Sequence, residues 1–193
     1  LILLLAGLAF IIWTMLPFRL PVSGIDLPAR LPDASPPAEM RLSLLHTGKM
    51  IADEMSAFRG GSPFKKYESG MAAVLVQHPT GDYLIDTGFG RQIESHLQDI
   101  PPIMQLLSEA QPGHAAADQL VSAGYSMTKL KGILLTHSHW DHVSGVQDFP
   151  NTPVLLDSFE KGYITSGKNH TALARSMPAD RFQTYRYKHQ SYR

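Results

Sequence analysis

Three histidines and an aspartate fall within six residues of Thr136-His137-Ser138-His139-Trp140-Asp141-His142-Val143-Ser144-Gly145. Imidazole and carboxylate without thiolate suit zinc, with iron or manganese as alternatives. In an extended segment, alternation puts His137 and His139 on one side, where two imidazoles grip one ion. Asp141 and His142 come as the chain turns into a helix and reach a second ion beside the first. Without metal, three crowded imidazoles would repel one another once protonated. A metal with an open position lowers the pKa of its water toward about 7 and polarises a carbonyl or phosphoryl oxygen. Asp141 is placed to orient the attacking water or move a proton, and so is the candidate catalytic residue. The chain has no cysteine, which excludes a thiolate zinc site, a thiol nucleophile and a disulfide framework. Ser138 and Ser144 adjoin the cluster but show no sign of a triad, and read as loop residues.

The elements around this cluster follow from hydropathy patterning. Lys131 to Thr136 contains Ile133-Leu134-Leu135, apolar on both faces and therefore a central strand. The histidines thus sit at the exit of a buried strand. Upstream, Arg41 to His46 and Met71 to Gln77 read as strands. Pro79-Thr80-Gly81-Asp82 is turn chemistry, so 71–77 and 82–86 form a hairpin. Helical spacing follows in Ile93, Leu97 and Ile100, then in Ile103, Leu106 and Leu107 after the Pro101-Pro102 break. Ala115 to Ala123 is a further helix closed by Gly124. Pro153 to Asp157 is a short strand and Ser158 to Ile164 a helix. The glycine-bearing stretch Phe58 to Gly70 reads as a loop, with Phe64 or Tyr67 available to a substrate pocket. Sheet and helix in this order give a layered α+β domain.

With these elements in place, the sequence resembles the metallo-β-lactamase superfamily. Its signature His-x-His-x-Asp-His, at the end of a buried strand and followed by Gly, is matched by His137, His139, Asp141, His142 and Gly145. Tyr83-Leu84-Ile85-Asp86-Thr87-Gly88 is similar to the family's strand ending in Asp-Thr-Gly. The resemblance spans about Met40 to Ile164. It implies an αββα sandwich with one or two metal ions at one edge of its sheets. His137 and His139 would hold the first ion, Asp141 and His142 the second. Asp86 would lie in the outer shell, orienting ligands or backbone. The implied activity is a metal-dependent hydrolase with zinc-activated water, acting on a small-molecule ester, lactone, thioester or amide, lactonase-like or β-lactamase-like. An iron-dependent oxidoreductase and a non-catalytic, membrane-tethered binding module are the alternatives.

The family also supplies a third histidine for the first metal, a bridging aspartate and a last histidine. His170, His189 and Asp180 fit these places poorly, since neither histidine follows a buried strand and His170 lacks the preceding glycine. The reading is therefore of an incomplete domain over 40–193, truncated at the C-terminus, with the remaining ligands beyond residue 193 and the isolated piece inactive. It exposes apolar sheet surface that a second half would cover.

At the other end, Leu1 to Leu16 is apolar except for Thr14 and a glycine, and would span about 24 Å as a helix. Residues 1–18 read as a signal peptide or membrane anchor, which places the protein outside the cytoplasm or on a membrane. Residues 19–39 read as a proline-rich linker. The chain's 17 basic and 17 acidic residues exclude a strongly basic nucleic-acid module. The basic, aromatic tail from Arg175 to Arg193 reads as a solvated strand, not an RNA surface.

Overall fold

A computed structural model describes residues 2–19 and 35–185. Among these residues seven strands form one mixed sheet in the order β4-β1-β2-β3-β5-β6-β7. β1 (Arg41–Asp53) and β2 (Lys66–Gln77) make a long antiparallel ribbon, and β3 (Asp82–Ile85) closes the expected hairpin on β2. β4 (Ser108–Pro112) lines the outer edge of β1. β5 (Leu130–Leu134), β6 (Val154–Leu156) and β7 (Phe182–Thr184) then run parallel to β3 and to one another.

The register assigns the faces. Leu75, Leu84, Ile133, Val154 and Phe182 lie side by side across five strands and are all buried. Against them pack α5 (Ala116–Ser122), α6 (Trp140–Val143), α7 (Ser158–Thr165) and α8 (Ala172–Ser176), through Ala117, Leu120, Val143, Ile164 and Ala174. A second cluster gathers Phe89, Ile93, Ile100 and Trp140, where α3 (Ile93–Gln98) and α4 (Pro102–Leu107) meet the far half of the ribbon. The opposite face carries Leu42, Leu44, Val74, Val76, Ile85, Leu134 and Leu155, and among the described residues no helical layer lies over them. Leu42 and Leu44 are 65% and 58% exposed. The described residues thus hold one sheet and one helical layer of the expected sandwich.

The expectation of a signal or anchor helix before the fold is corrected. α1 (Ile2–Met15) is helical, but its 14 residues reach about 21 Å against a hydrocarbon core of about 30 Å. Among the described residues no helix is long and apolar enough to cross a membrane. The reading of residues 1–18 as export signal or membrane anchor falls with it. So do the membrane as a partner and the exported or membrane-anchored location. Pro17 explains the short length, because the residues before a proline leave the helical region. The freed carbonyls at this end are taken by a short connection after α2 (Glu54–Ala57). Gly60 N donates to Met15 O (2.9 Å), Arg59 Nε to Leu16 O (2.7 Å) and Arg59 Nη2 to Trp13 O (2.9 Å). The Arg59 guanidinium also lies 5.3 Å from the Trp13 ring and 5.2 Å from that of Phe18.

Two further expectations change. The loop expected over 58–70 is shorter, because β2 already begins at Lys66. Tyr67 is a strand residue opposite Ala52, edge-on to Phe58, and Phe64 points into solvent. The proline-rich linker falls largely on 20–34, and His189 on 186–193, both outside the described residues.

Candidate functional site

β3 and β5 are parallel neighbours, so their carboxyl ends emerge side by side, the usual position of a site in such sheets. Asp86 leaves β3 there, and its backbone N donates to Leu134 O (2.8 Å) as β5 ends. The Asp86 side chain then collects three donors. Oδ1 accepts from Thr136 N (2.8 Å), and Oδ2 accepts from Thr136 Oγ1 (2.7 Å) and His142 Nδ1 (2.8 Å). Asp86 is 7% exposed and holds φ at +54°, a left-handed conformation uncommon outside glycine. Such a backbone at a convergent polar centre is maintained only by its surroundings.

Those surroundings are a clasp between the 86–90 turn and α6. Thr87 N and Thr87 Oγ1 both donate to His142 O (3.0 and 2.7 Å), and Gly145 N donates to Thr87 Oγ1 (3.1 Å). Gly90 lies so close to this segment that a Cβ would stand 2.5 Å from Ser144 O and from Gly145 Cα. From the other side, a β-bulge between His46 and Gly48 seats the buried Thr47 under the turn. Thr47 Oγ1 accepts from Phe89 N (2.9 Å), and Gly88, at φ +59°, leaves it the space a side chain would fill.

On this base the imidazoles come together. The His137 ring lies 4.5 Å from His139 and 3.9 Å from His142, centre to centre. His142 Nε2 stands 3.6 Å from Asp141 Oδ2. His139, the extended residue that starts α6, also lies 5.2 Å from the exposed His170 ring. Burial pushes the His142 imidazole down. Its bond to Asp86 and the charges of Asp141 and Asp86 outweigh that, so its pKa stands above the ordinary value. His139 is held below the ordinary value by burial and by His137, against the pull of Asp141. The four residues of the signature are thus gathered, each within reach of another. Asp180 lies apart from the signature in sequence, on an exposed turn before β7.

The donor set suits an ion of the zinc type: imidazoles and one carboxylate, partly desolvated, with His142 already oriented by a second carboxylate. Among the described residues, no three such donors are yet arranged so as to hold an ion by themselves. Chemistry and clustering fit the group; closure of the shell takes side-chain adjustment or further donors.

Further contacts tie the ligand string to its surroundings. Glu160, on α7, accepts from both Ser138 N (2.7 Å) and Ser138 Oγ (2.5 Å). Ser144 Oγ accepts from Gly90 N (3.1 Å) and shares a hydrogen bond with Nδ1 of the buried His96 (2.9 Å). Trp140 is buried and stacks on Phe89, with centroids 5.8 Å apart, so it packs beneath the site. Beside it a cleft of about 290 Å³ runs between His96, Ile100, Trp140 and Leu173.

The sequence matches the family profile described as the Metallo-beta-lactamase superfamily over residues 70–155. Two probable metallo-hydrolases, from Mycobacterium tuberculosis and Mycobacterium bovis, are each 35% identical over 88 residues, 45% of this chain and 28% of theirs. Among solved structures, an N-acyl homoserine lactone hydrolase with N-hexanoyl-L-homoserine at its catalytic metal center superposes with a TM-score of 0.64. It is 19% identical, over 75% of this chain and 58% of that one. A probable metal-dependent hydrolase from Staphylococcus aureus gives 0.55 at 13% identity, over 76% and 59%. The chain spans less than two thirds of the length of each of these relatives.

Proposed function

Because the chain belongs to the metallo-β-lactamase superfamily, we propose that the protein is a metal-dependent hydrolase. Its substrate is a small molecule with an ester, lactone, thioester or amide bond. One observation carries the reading: three imidazoles stand in ring contact at the carboxyl ends of two parallel strands, and a buried carboxylate orients one of them. In this reading His137 and His139 hold one ion, and Asp141 with His142 a second. What such an ion, zinc first and iron or manganese as alternatives, supplies is Lewis acidity toward the scissile carbonyl and an acidified water. Asp141, in the first turn of α6, orients the attacking water and takes up its proton at a carboxylate oxygen. Asp86 keeps His142 aimed and ties Thr136 to the end of β3, so the ligands are positioned before substrate arrives. Trp140 and Phe89 close the floor beneath α6 against water. Among the candidate bonds a lactone is favoured, by analogy with the homoserine lactone hydrolases that share the fold.

Elemental analysis and hydrolysis assays test this. His137→Ala and His139→Ala are each expected to abolish metal content and hydrolysis of lactone and ester substrates. Hydrolysis retained at wild-type rate by the metal-free double variant would sink the proposal. Iron as the native metal, with thiol oxidation in place of hydrolysis, would replace it.

A further inference from the structure

Ser138 lies between His137 and His139, on the peptide that must hold both rings in place. It is wholly buried, and its two donors, backbone N–H and Oγ–H, converge on one oxygen, Glu160 Oε1, at 2.7 and 2.5 Å. The carboxylate is twenty-two residues away and reaches the site from a separate element. Glu160 sits in the first turn of α7, whose start is fixed by Asp157 accepting from Phe159 N (2.7 Å). α7 in turn is anchored in the core by Ile164 and by Lys161 Nζ donating to Phe182 O (2.7 Å). A charged acceptor taking two donors from one buried residue makes stronger bonds than a neutral one and fixes the peptide's position and rotation. Two residues earlier Asp86 takes the corresponding pair of donors, Thr136 N on Oδ1 and Thr136 Oγ1 on Oδ2. Residues 136 and 138 are therefore each clamped by a carboxylate from a different strand-end or helix, and 137 and 139 are the positions left to face the site.

We propose that Glu160 is a positioning residue of the metal centre: through Ser138 it sets the separation and aim of the His137 and His139 imidazoles, and so the affinity for metal. The inference rests on the metal-centre reading above. It assigns Glu160 no contact with substrate or ion. Its Oε1 is used by Ser138, and its effect is transmitted through one peptide unit.

Zinc affinity in the full chain, measured by competition with a chromophoric chelator, tests it together with the visible spectrum of the cobalt(II)-loaded protein. Glu160→Ala is expected to weaken zinc binding about 10- to 100-fold and to shift the cobalt bands. Glu160→Gln keeps an acceptor oxygen at the same reach and is expected to restore most of that affinity. Glu160→Asp, one methylene shorter, draws Ser138 out of place and is expected to lose about 10-fold; it decides the question if Glu160→Ala does not fold. Wild-type affinity and an unchanged cobalt spectrum in folded Glu160→Ala and Glu160→Asp would overturn the brace while leaving the metal centre intact. A wild-type chain that binds no metal would remove both.

Discussion

The two faces of the one sheet are built from the same strands and differ by a single step along each. On one face Ala73, Leu84, Ile133, Val154 and Leu156 are wholly buried under four helices. One residue on, Leu42 and Leu44 are more than half exposed, and Val74, Ile85, Leu134 and Leu155 are only half-buried. Both faces are apolar, which is unlike a sheet designed to meet water on one side. The difference lies in what covers each face, not in what each is made of. The site stands where the two meet, at the carboxyl ends of β3 and β5.

Substitutions that treat the two faces alike sharpen this contrast. Leu84→Ala and Ile133→Ala on the helix-covered face should each lower unfolding stability by about 2–5 kcal/mol in denaturant titrations, since both side chains are wholly buried and their surroundings relax only partially. If either costs less than the open-face variants below, the assignment of faces is wrong. Asp86→Ala comes next, at about 1–3 kcal/mol, because it strips the acceptor from Thr136 and His142 in a buried position. Its metal affinity should fall as well. A smaller effect is expected from pH. Burial holds the His96 imidazole below its ordinary value, against Asp99 and Asp148, so the folded state binds fewer protons than the unfolded one. Stability from this group is full above an unfolded pKa of about 6.5 and is lost as pH falls below it. Thermal melts should show the loss setting in as pH falls through about 6.5, and less of it in His96→Gln. Least of all, Leu42→Ser and Leu44→Ser on the open face should change stability by about 0.5 kcal/mol or less, while reducing self-association and dye binding. A cost of several kcal/mol there would show that the face is covered.

Much of this was legible in the residues because the information is local. Ile133-Leu134-Leu135 announces a strand with neighbours on both sides, and β5 does lie between β3 and β6. Turn chemistry at 79–82 places the β2–β3 hairpin. The far half of the ribbon was not legible. Its residues include Gly48, Lys49, Lys66, Glu68 and Gly70, which neither alternate nor favour strands, and pairing alone extends β1 to Asp53. β4, with the sequence Ser-Glu-Ala-Gln-Pro, is a strand only because β1 offers it an edge. The ligand cluster was visible as a string, and Asp86 through its Asp-Thr-Gly. Glu160, His96 and Thr47 were not, since each meets the site across a distance in sequence that no periodicity records. The apolar start shows the opposite case: its helix and its shortness before Pro17 were legible, whereas the Arg59 and Gly60 contacts that take the carbonyls at its end come from more than forty residues away.

The bond from His142 Nδ1 to Asp86 decides more than where the ring points. A carboxylate can only accept, so it fixes a proton on Nδ1, and in the neutral ring the lone pair is left on Nε2, which stands 3.6 Å from Asp141 Oδ2 within the cluster. Asparagine at position 86 would tolerate the left-handed backbone almost as well, yet its amide can present N–H groups to the same ring. The imidazole would then exchange tautomers, and the nitrogen turned toward the cluster would carry hydrogen where an electron pair is needed. One oxygen-for-nitrogen exchange, invisible in the shape of the fold, would turn a donor of electrons into a donor of a proton.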